Sequence, residues 1–472
     1  MIFHSLDFVV FFLVVVTVYW RLPHRGQNVF LLAASYVFYG YVHPWFLILI
    51  AASTLVDYLS ALGMERWPGR KRAFMAVSIA SNFGLLGFFK YFNFFVENMH
   101  EVLSAAGIDA GLPALRVMLP VGISFYTFQA MSYTVDVFRG ELRARRSLVD
   151  IAVFISFFPH LVAGPIQRAS YLLPQVEGER RFLLPKATTG LCLIVWGMFK
   201  KLVVADNVGV IANRVFGLRD PSFEMLWAGV FAFAIQIYAD FSAYTDIARG
   251  LSRWLGFELT ENFRDPYMAR SPADFWRRWN ISLSTWFRDY VYIPLGGSRG
   301  AGWLWARNVV VTFVLSGLWH GASWNYVLWG LYHGLLLLAT RARRMLAPAK
   351  PRPVWLAVPQ ITGMFVLTLI GWLLFRETDL SAIVRDLRLV PWTSSPSDRQ
   401  AGVYLFMLAF GYSIPLWVQS VWRELHAGSD PADVRREPLS GAVVAALGCG
   451  AAFAAILVLR SRTTLDFIYF HF

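Results

Sequence analysis

Long apolar runs separated by short polar ones dominate this chain. The first five lie at about 5–20, 28–42, 45–63, 73–91 and 117–137, and the last three near 355–375, 401–422 and 440–459. Several approach the roughly 20 residues that an α-helix needs to cross a bilayer. Such runs predict helices, because in lipid a helix satisfies its backbone polar groups within its own segment. Ile151–Ile166 is apolar but short and contains Pro159, Gly164 and Pro165, so it reads as broken or re-entrant. Leu191–Val204 and Leu226–Tyr238 are further helix candidates, the second continuing through Ala239–Asp246. Arg385–Gln400 and Glu424–Pro438 read as polar loops. The expected fold class is all-α, a polytopic transmembrane helical bundle of about 10–13 helices with re-entrant or interfacial pieces. It is expected to form a single domain over residues 1–472.

One long block does not fit a span. Glu258–Arg299 carries Arg264, Arg270, Arg277, Arg278, Arg288 and Arg299 against five acids, interleaved with Phe275, Trp276, Trp279, Trp286, Phe287 and Tyr290. Ser271-Pro272 reads as a helix start, with Ser271 as N-cap and Pro272 at the first helical position. Phe275, Trp279, Leu283 and Trp286 recur at helical spacing and predict one amphipathic helix at the interface or on the bundle. Leu295-Gly296-Gly297-Ser298 predicts a turn.

Composition supports the membrane reading. The chain is 57% hydrophobic and 15% charged, where soluble domains carry about 25% charged residues. The net charge of +13 does not point to nucleic acid, since the basic residues cluster in short loops beside apolar runs. Arg21 and Arg25 lie in the first loop, none in His43-Pro44, and Arg66, Arg70, Lys71 and Arg72 in the third. The fourth loop, Asn93–Leu115, has none, and the fifth holds Arg139, Arg143, Arg145 and Arg146. That alternation places the N-terminus outside and the odd-numbered loops in the cytoplasm. No Lys or Arg precedes Phe8–Trp20 and no small-residue cleavage pattern follows it, unlike a cleavable signal peptide. Cys192 and Cys449 give neither a disulfide framework nor a metal cluster.

The apolar run Val309–Gly334 holds His320 and His333. Histidine at membrane depth is costly and marks a functional site by default. Neutral imidazole exchanges a proton near pH 7. His320 sits among the small residues Ser316, Gly317, Gly321 and Ala322, which would let a ligand or a helix approach closely. It reads either as a general base or as interhelical glue. His333 follows thirteen residues later. On one unbroken helix that is roughly 20 Å along the axis and about 220° around it. Either the helix breaks near Gly321–Asn325 or only one histidine transfers the proton. Asp240 and Asp246 line a polar passage or form buried pairs with arginines. The arginines of 264–299 hold the phosphates of a nucleotide-bearing donor or contact headgroups and nearby acids. HExxH, GxxxxGK[ST] and GxSxG are all absent, which removes the familiar zinc-hydrolase, phosphate-loop and nucleophile-elbow signatures.

Several of these residues form recognisable motifs. They are Asp274-Phe275-Trp276-Arg277-Arg278-Trp279, Trp286–Gly297, Trp319-His320-Gly321-Ala322, Val162–Arg168 and Phe467-Ile468-Tyr469-Phe470. Together they resemble the membrane-bound O-acyltransferase family, in its bacterial alginate O-acetylation branch. The resemblance implies a many-helix fold around a central tunnel. It makes His320 the catalytic histidine and puts His333 on a second histidine of the motif. Asp240, Asp246, Arg277, Arg278, Trp279, Arg288, Trp319 and Asn325 are then candidates for lining substrate or tunnel. No metal and no cofactor are implied beyond acetyl-CoA as the donor substrate. The implied partners are a periplasmic polysaccharide acetyltransferase, an exopolysaccharide acceptor and the lipid bilayer, with no nucleic acid. The implied location is the bacterial inner membrane. Asn280 departs from the pattern, since alginate-type relatives carry histidine after Arg-Arg-Trp, and so does the closing His471-Phe472. A polytopic transporter or flippase for a polymer precursor, and a scaffold that only docks a periplasmic enzyme, share the bundle and its buried polar groups.

Overall fold

The computed structural model describes residues 1–108, 120, 122–162, 164–346, 357–426 and 439–468. Ala163, Tyr469, Phe470, His471 and Phe472 of the motifs lie outside the described residues. So do the start of the expected 117–137 segment and residues 427–438 of the last expected loop. The described residues form helices and turns, with no strand among them. In order, the helices are α1 (Leu6–Tyr19), α2 (His24–Gly40), α3 (Phe46–Arg66), α4 (Lys71–Leu86), α5 (Phe92–Ala105), α6 (Ile123–Arg139) and α7 (Leu148–Ser156). They continue with α8 (Phe158–Leu161), α9 (Ala169–Glu177), α10 (Leu184–Phe199), α11 (Asp206–Phe216), α12 (Phe223–Trp254), α13 (Pro272–Arg278) and α14 (Ile281–Phe287). The last are α15 (Gly302–His320), α16 (Trp324–Leu346), α17 (Ala357–Arg376), α18 (Leu380–Leu387), α19 (Pro396–His426) and α20 (Leu439–Leu459).

Six continuous helical stretches among the described residues are long and apolar enough to cross a membrane: Phe46–Arg66, Pro68–Ala105, Leu184–Phe216, Phe223–Trp254, Ala357–Arg376 and Pro396–His426. Two of them join neighbouring helices through π-turns, at Gly87–Tyr91 and Lys200–Ala205. The chain is therefore a multi-pass helical membrane protein. Its residues gather into two compact units, one of residues 1–191 and 247–260, the other of residues 192–246 and 261–472.

The first unit shows how lipid-depth polarity is satisfied. Asp57 on α3 is fully buried. It accepts from the Ser78 hydroxyl at 2.6 Å and from Asn82 Nδ2 at 2.9 and 3.0 Å. A buried carboxylate without such donors would cost several kcal/mol. The apolar run after α6 breaks as its prolines require. Pro159 lacks an N–H and would clash with the preceding turn, so α7 ends at Ser156 and α8 restarts at Phe158. Gly164 then lets the chain fold back on His160, whose Cα would lie 2.3 Å from any Cβ at that position. At one end of this unit the Tyr19 hydroxyl donates to the carbonyl of Leu255 and Trp20 Nε1 to that of Trp254, each at 3.0 Å.

Two expectations change. The segment from Asn93 to Ala105 is helix α5 rather than loop, because Val96, Met99, Val102 and Leu103 recur at helical spacing. The single amphipathic helix expected after Ser271 is two short helices. Ser271 does cap the first, its hydroxyl accepting from the Asp274 N–H at 3.2 Å. The break falls at Asn280, which takes a left-handed conformation (φ 40°, ψ 57°) that Asn adopts more readily than most residues. Asn262 then holds the second helix, its Oδ1 accepting from the N–H and hydroxyl of Ser282 at 3.0 and 2.9 Å.

Candidate active site

The site lies within the second unit and is built on the hairpin of α15 and α16. α15 ends at His320, and Gly321 leaves in an extended conformation (φ −166°, ψ 154°). After Gly321–Ser323 the chain turns back into α16, so the helix breaks between the two histidines. Glycines set how closely the two helices pack. A Cβ on Gly317 would lie 2.1 Å from the Tyr326 carbonyl oxygen, and one on Gly330 would lie 2.2 Å from that of Phe313. Small residues at such crossings are a general means of helix association in lipid.

The turn brings both imidazoles to one indole. His320 packs edge-on against Trp329 at 5.1 Å between ring centroids, against Phe375 at 5.1 Å and against Trp319 at 4.9 Å. His333, one turn beyond Trp329 on α16, packs against that indole at 4.9 Å and against Trp276 at 5.1 Å. It also stacks parallel to Phe275 at 6.0 Å. Both histidines are buried, 3% and 2% exposed, so both imidazoles are shielded from bulk water. Asn325 fixes the neighbouring helix end: its Nδ2 donates to the Leu374 and Phe375 carbonyls at 3.3 and 3.1 Å. Trp279 is buried among Trp372, Phe263 and Phe275.

A cavity of about 550 Å³ runs up to this aromatic cluster. One wall is the α15 stripe Val309, Thr312, Phe313 and Ser316, whose next turn carries His320. The facing wall is Leu337, Thr340 and Arg341, four to eight residues beyond His333 on α16. Arg277, Arg288, Tyr292, Ser284 and Thr285 are also among the lining residues, and Trp276 lies between the cavity and His333. The Gly296-Gly297 turn beside it is pinned by Asn308 Nδ2, which donates to the Gly297 carbonyl at 3.1 Å. Arg341 lies over the Trp305 ring at 4.1 Å.

The structure divides the residues singled out from sequence. Arg277 and Arg288 line the cavity. Arg278 does not. It bonds Asp274 and Glu424, each at 3.1 Å, in a neighbouring charged cleft that Arg277 also borders. Burial opposes the Arg278 charge, but these bonds outweigh it and hold the guanidinium above its ordinary value. Trp319 adjoins His320. Asp240 and Asp246 are engaged elsewhere, in ion pairs that include lysines where arginines were expected. Lys200 Nζ lies 2.8 Å from Asp246, and Lys201 Nζ lies 2.9 Å from Asp206 and 3.0 Å from Asp240. Asp240 also accepts from the Ile468 N–H at 2.8 Å, and Lys201 donates to the Leu465 carbonyl at 2.8 Å. The two lysines sit in an apolar run, where hydropathy alone conceals them. Arg341 escaped the sequence reading too, although its spacing of eight from His333 was the signal.

A second cavity, of about 470 Å³, lies beside Arg376 at the end of α17. It is lined by Asn213, Phe233, Gln236, Arg376 and residues 464–466 and 468.

Residues 131–376 match the family model described as membrane-bound O-acyltransferase. The chain belongs to the membrane-bound O-acyltransferase family. It is 40% identical over 393 residues to the probable alginate O-acetylase AlgI of Azotobacter vinelandii, covering 82% of this chain and 77% of that one. It is 32% identical to the peptidoglycan O-acetyltransferase of Helicobacter pylori, over 76% of this chain and 73% of the other. It is 29% identical to the teichoic acid D-alanyltransferase of Bacillus subtilis, over 46% and 58% of the two chains. This family member is thus a membrane O-acyltransferase whose matched region ends at Arg376, one residue past the phenylalanine that packs on His320.

Proposed function

We propose that this acyltransferase takes acetyl from acetyl-CoA on the cytoplasmic side and passes it outward for O-acetylation of an exopolysaccharide. His320 acts as general base. The observation that carries the reading is the cavity stripe on α15, which climbs from Val309 through Thr312 and Ser316 to the turn that ends in His320. The cavity's arginines, 277, 288 and 341, match a donor with phosphates at one end, since guanidinium forks pair with phosphate oxygens. Its apolar, hydroxyl-dotted length suits the pantetheine arm.

In the transfer step the acceptor hydroxyl gives its proton to the His320 imidazole while its oxygen attacks the thioester carbonyl carbon. The C–S bond breaks, and the departing thiolate takes the proton back from the imidazolium. Proton transfer by a positioned side chain is worth about 10²–10⁴-fold. His333, buried behind Trp276, serves as a positioning residue.

The alternation of arginine-bearing loops supports an N-terminus outside the bacterial inner membrane. A periplasmic acetyltransferase is the expected receiver of the acetyl group. The test uses purified protein with labelled acetyl-CoA and an acceptor. His320→Ala is expected to keep its helical content and melting temperature and to lose transfer by at least about 100-fold. Near wild-type transfer by that variant overturns the role.

A further inference from the structure

We infer that the indole N–H of Trp276 is a catalytic hydrogen-bond donor, which with the Ser316 hydroxyl holds the thioester carbonyl oxygen as it becomes an oxyanion. The inference rests on the acyltransferase reading and adds to it the groups that take up the negative charge. Trp276 lies on α13 and lines the first cavity where it meets the histidine cluster. It packs edge-on against Phe313 at 5.1 Å, Trp329 at 5.6 Å and His333 at 5.1 Å. Phe313 and Ser316 both line the cavity from α15, and His320 ends that helix. Positions 313, 316 and 320 follow the i, i+3, i+7 interval of one helix face, and the Trp276 ring is laid against that face.

Both donors are unspent. Trp276 Nε1 is buried with no hydrogen-bond partner among the described residues, whereas a buried indole N–H ordinarily finds one. Leaving it unpaired in an apolar interior is costly, and a substrate oxygen removes that cost. Ser316, 7% exposed, lines the cavity with no hydrogen bond among the described residues. The other lining serine and threonine hydroxyls are taken by backbone carbonyls. Thr312 donates to Asn308 at 2.6 Å, Ser284 to Trp279 at 3.1 Å, Thr285 to Ile281 at 2.8 Å and Thr340 to Leu336 at 2.8 Å. Helical Ser and Thr commonly bond back in this way, and Ser316 does not. Among the described residues no carboxylate lines the cavity, while Arg277, Arg288 and Arg341 do. The surrounding charge therefore favours an oxyanion.

In the transfer step the acceptor oxygen bonds to the carbonyl carbon, and the C=O π pair moves onto the carbonyl oxygen. Trp276 Nε1–H and Ser316 Oγ–H donate to that oxygen and keep their protons. The acceptor's proton goes to His320. The electron pair then returns, the C–S bond breaks, and the thiolate recovers the proton from the imidazolium. An indole nitrogen is a donor only, so it does not compete with His320 for the proton. Both donors meet a neutral carbonyl before attack and an anion during it, so their effect falls on kcat.

The test replaces Trp276 in the full chain with its benzothiophene isostere, which keeps the fused rings and puts sulfur where the N–H was. Release of CoA from acetyl-CoA by detergent-purified protein is measured with an oligomannuronate tetramer as acceptor, beside wild type, His320→Ala and Ser316→Ala. The isostere is expected to lower kcat about 100-fold or more, with the KM for acetyl-CoA and the melting temperature little changed. Ser316→Ala is expected to lower kcat in the same sense. A dithioester analogue of acetyl-CoA, whose thiocarbonyl sulfur accepts hydrogen bonds poorly, should narrow the gap between wild type and the isostere. A packing role predicts no narrowing. Where the isostere does not fold, Trp276→Phe with the same two donors decides the matter. Unchanged kcat in the 276 variant overturns the assignment. So does a raised KM at constant kcat, which makes Trp276 a wall of the donor site. Lost activity in His320→Ala beside either result leaves the general base standing. Wild-type protein that releases no CoA sinks the donor reading and the inference with it.

Discussion

At the residue scale, the difference between Arg277 and Arg278 carries a prediction. Arg278 is spent on Asp274 and Glu424, whereas Arg277 faces the cavity beneath the α15 stripe. Arg277→Gln is expected to raise the KM for acetyl-CoA about tenfold while changing kcat little, because a phosphate contact remote from the carbonyl binds ground and transition states alike. Steady-state kinetics decide it, and a fall in kcat at constant KM would place Arg277 in the chemical step instead. Adjacent arginines look equivalent in sequence. They part only because α13 stops at Arg278 and turns at Asn280, and the turn depends on a left-handed residue that periodicity does not announce. The two histidines stood out in sequence as ionisable groups in an apolar run. Their meeting on Trp329 did not, because it required the helix to break at Gly321, one of the two alternatives the spacing left open.

At the element scale, the α15–α16 hairpin is held at glycine distance. Gly330→Ala would push a methyl into the Phe313 carbonyl, where only 2.2 Å is available. The expected cost is about 1–3 kcal/mol of overpacking, seen as a lower melting temperature. Transfer should fall with it, since His320 ends the helix that must move. Unchanged melting and activity would mean the hairpin yields without strain. The π-turn Lys200–Ala205 belongs to the same scale. Lys201 is enclosed with Asp206 and Asp240, all 1–2% exposed at the side chain. Lys201→Met leaves two carboxylates without their cation and is expected to cost about 3–5 kcal/mol. Adding Asp206→Asn and Asp240→Asn should restore most of the loss in thermal melts. Asp240 and Asp246 were visible in sequence as polar groups at membrane depth, but the lysines that answer them sit 39 and 46 positions away, beyond any local pattern.

At the scale of the whole molecule, the apolar runs foretold a multi-pass bundle, and the family match over residues 131–376 agrees with the motifs that first suggested it. Single cysteines placed at Trp45 and Trp67, which flank α3 and are exposed, should differ in labelling by an impermeant maleimide on intact cells. Position 45 is expected to react and position 67 not, as the loop charges require; the reverse pattern inverts the assigned direction of transfer. The order of synthesis adds a last consequence. Ile468 follows Asp240, the carboxylate it bonds, by 228 positions. Ribosomes add about 5–20 residues per second, so roughly 10–50 s separate the two. Late in that interval, once α17 has been made, the helices up to it can be inserted while the cavity beside Arg376 still lacks its wall of residues 464–466 and 468. A nascent chain arrested there should therefore be a membrane-resident precursor whose Asp240 still lacks the Ile468 N–H.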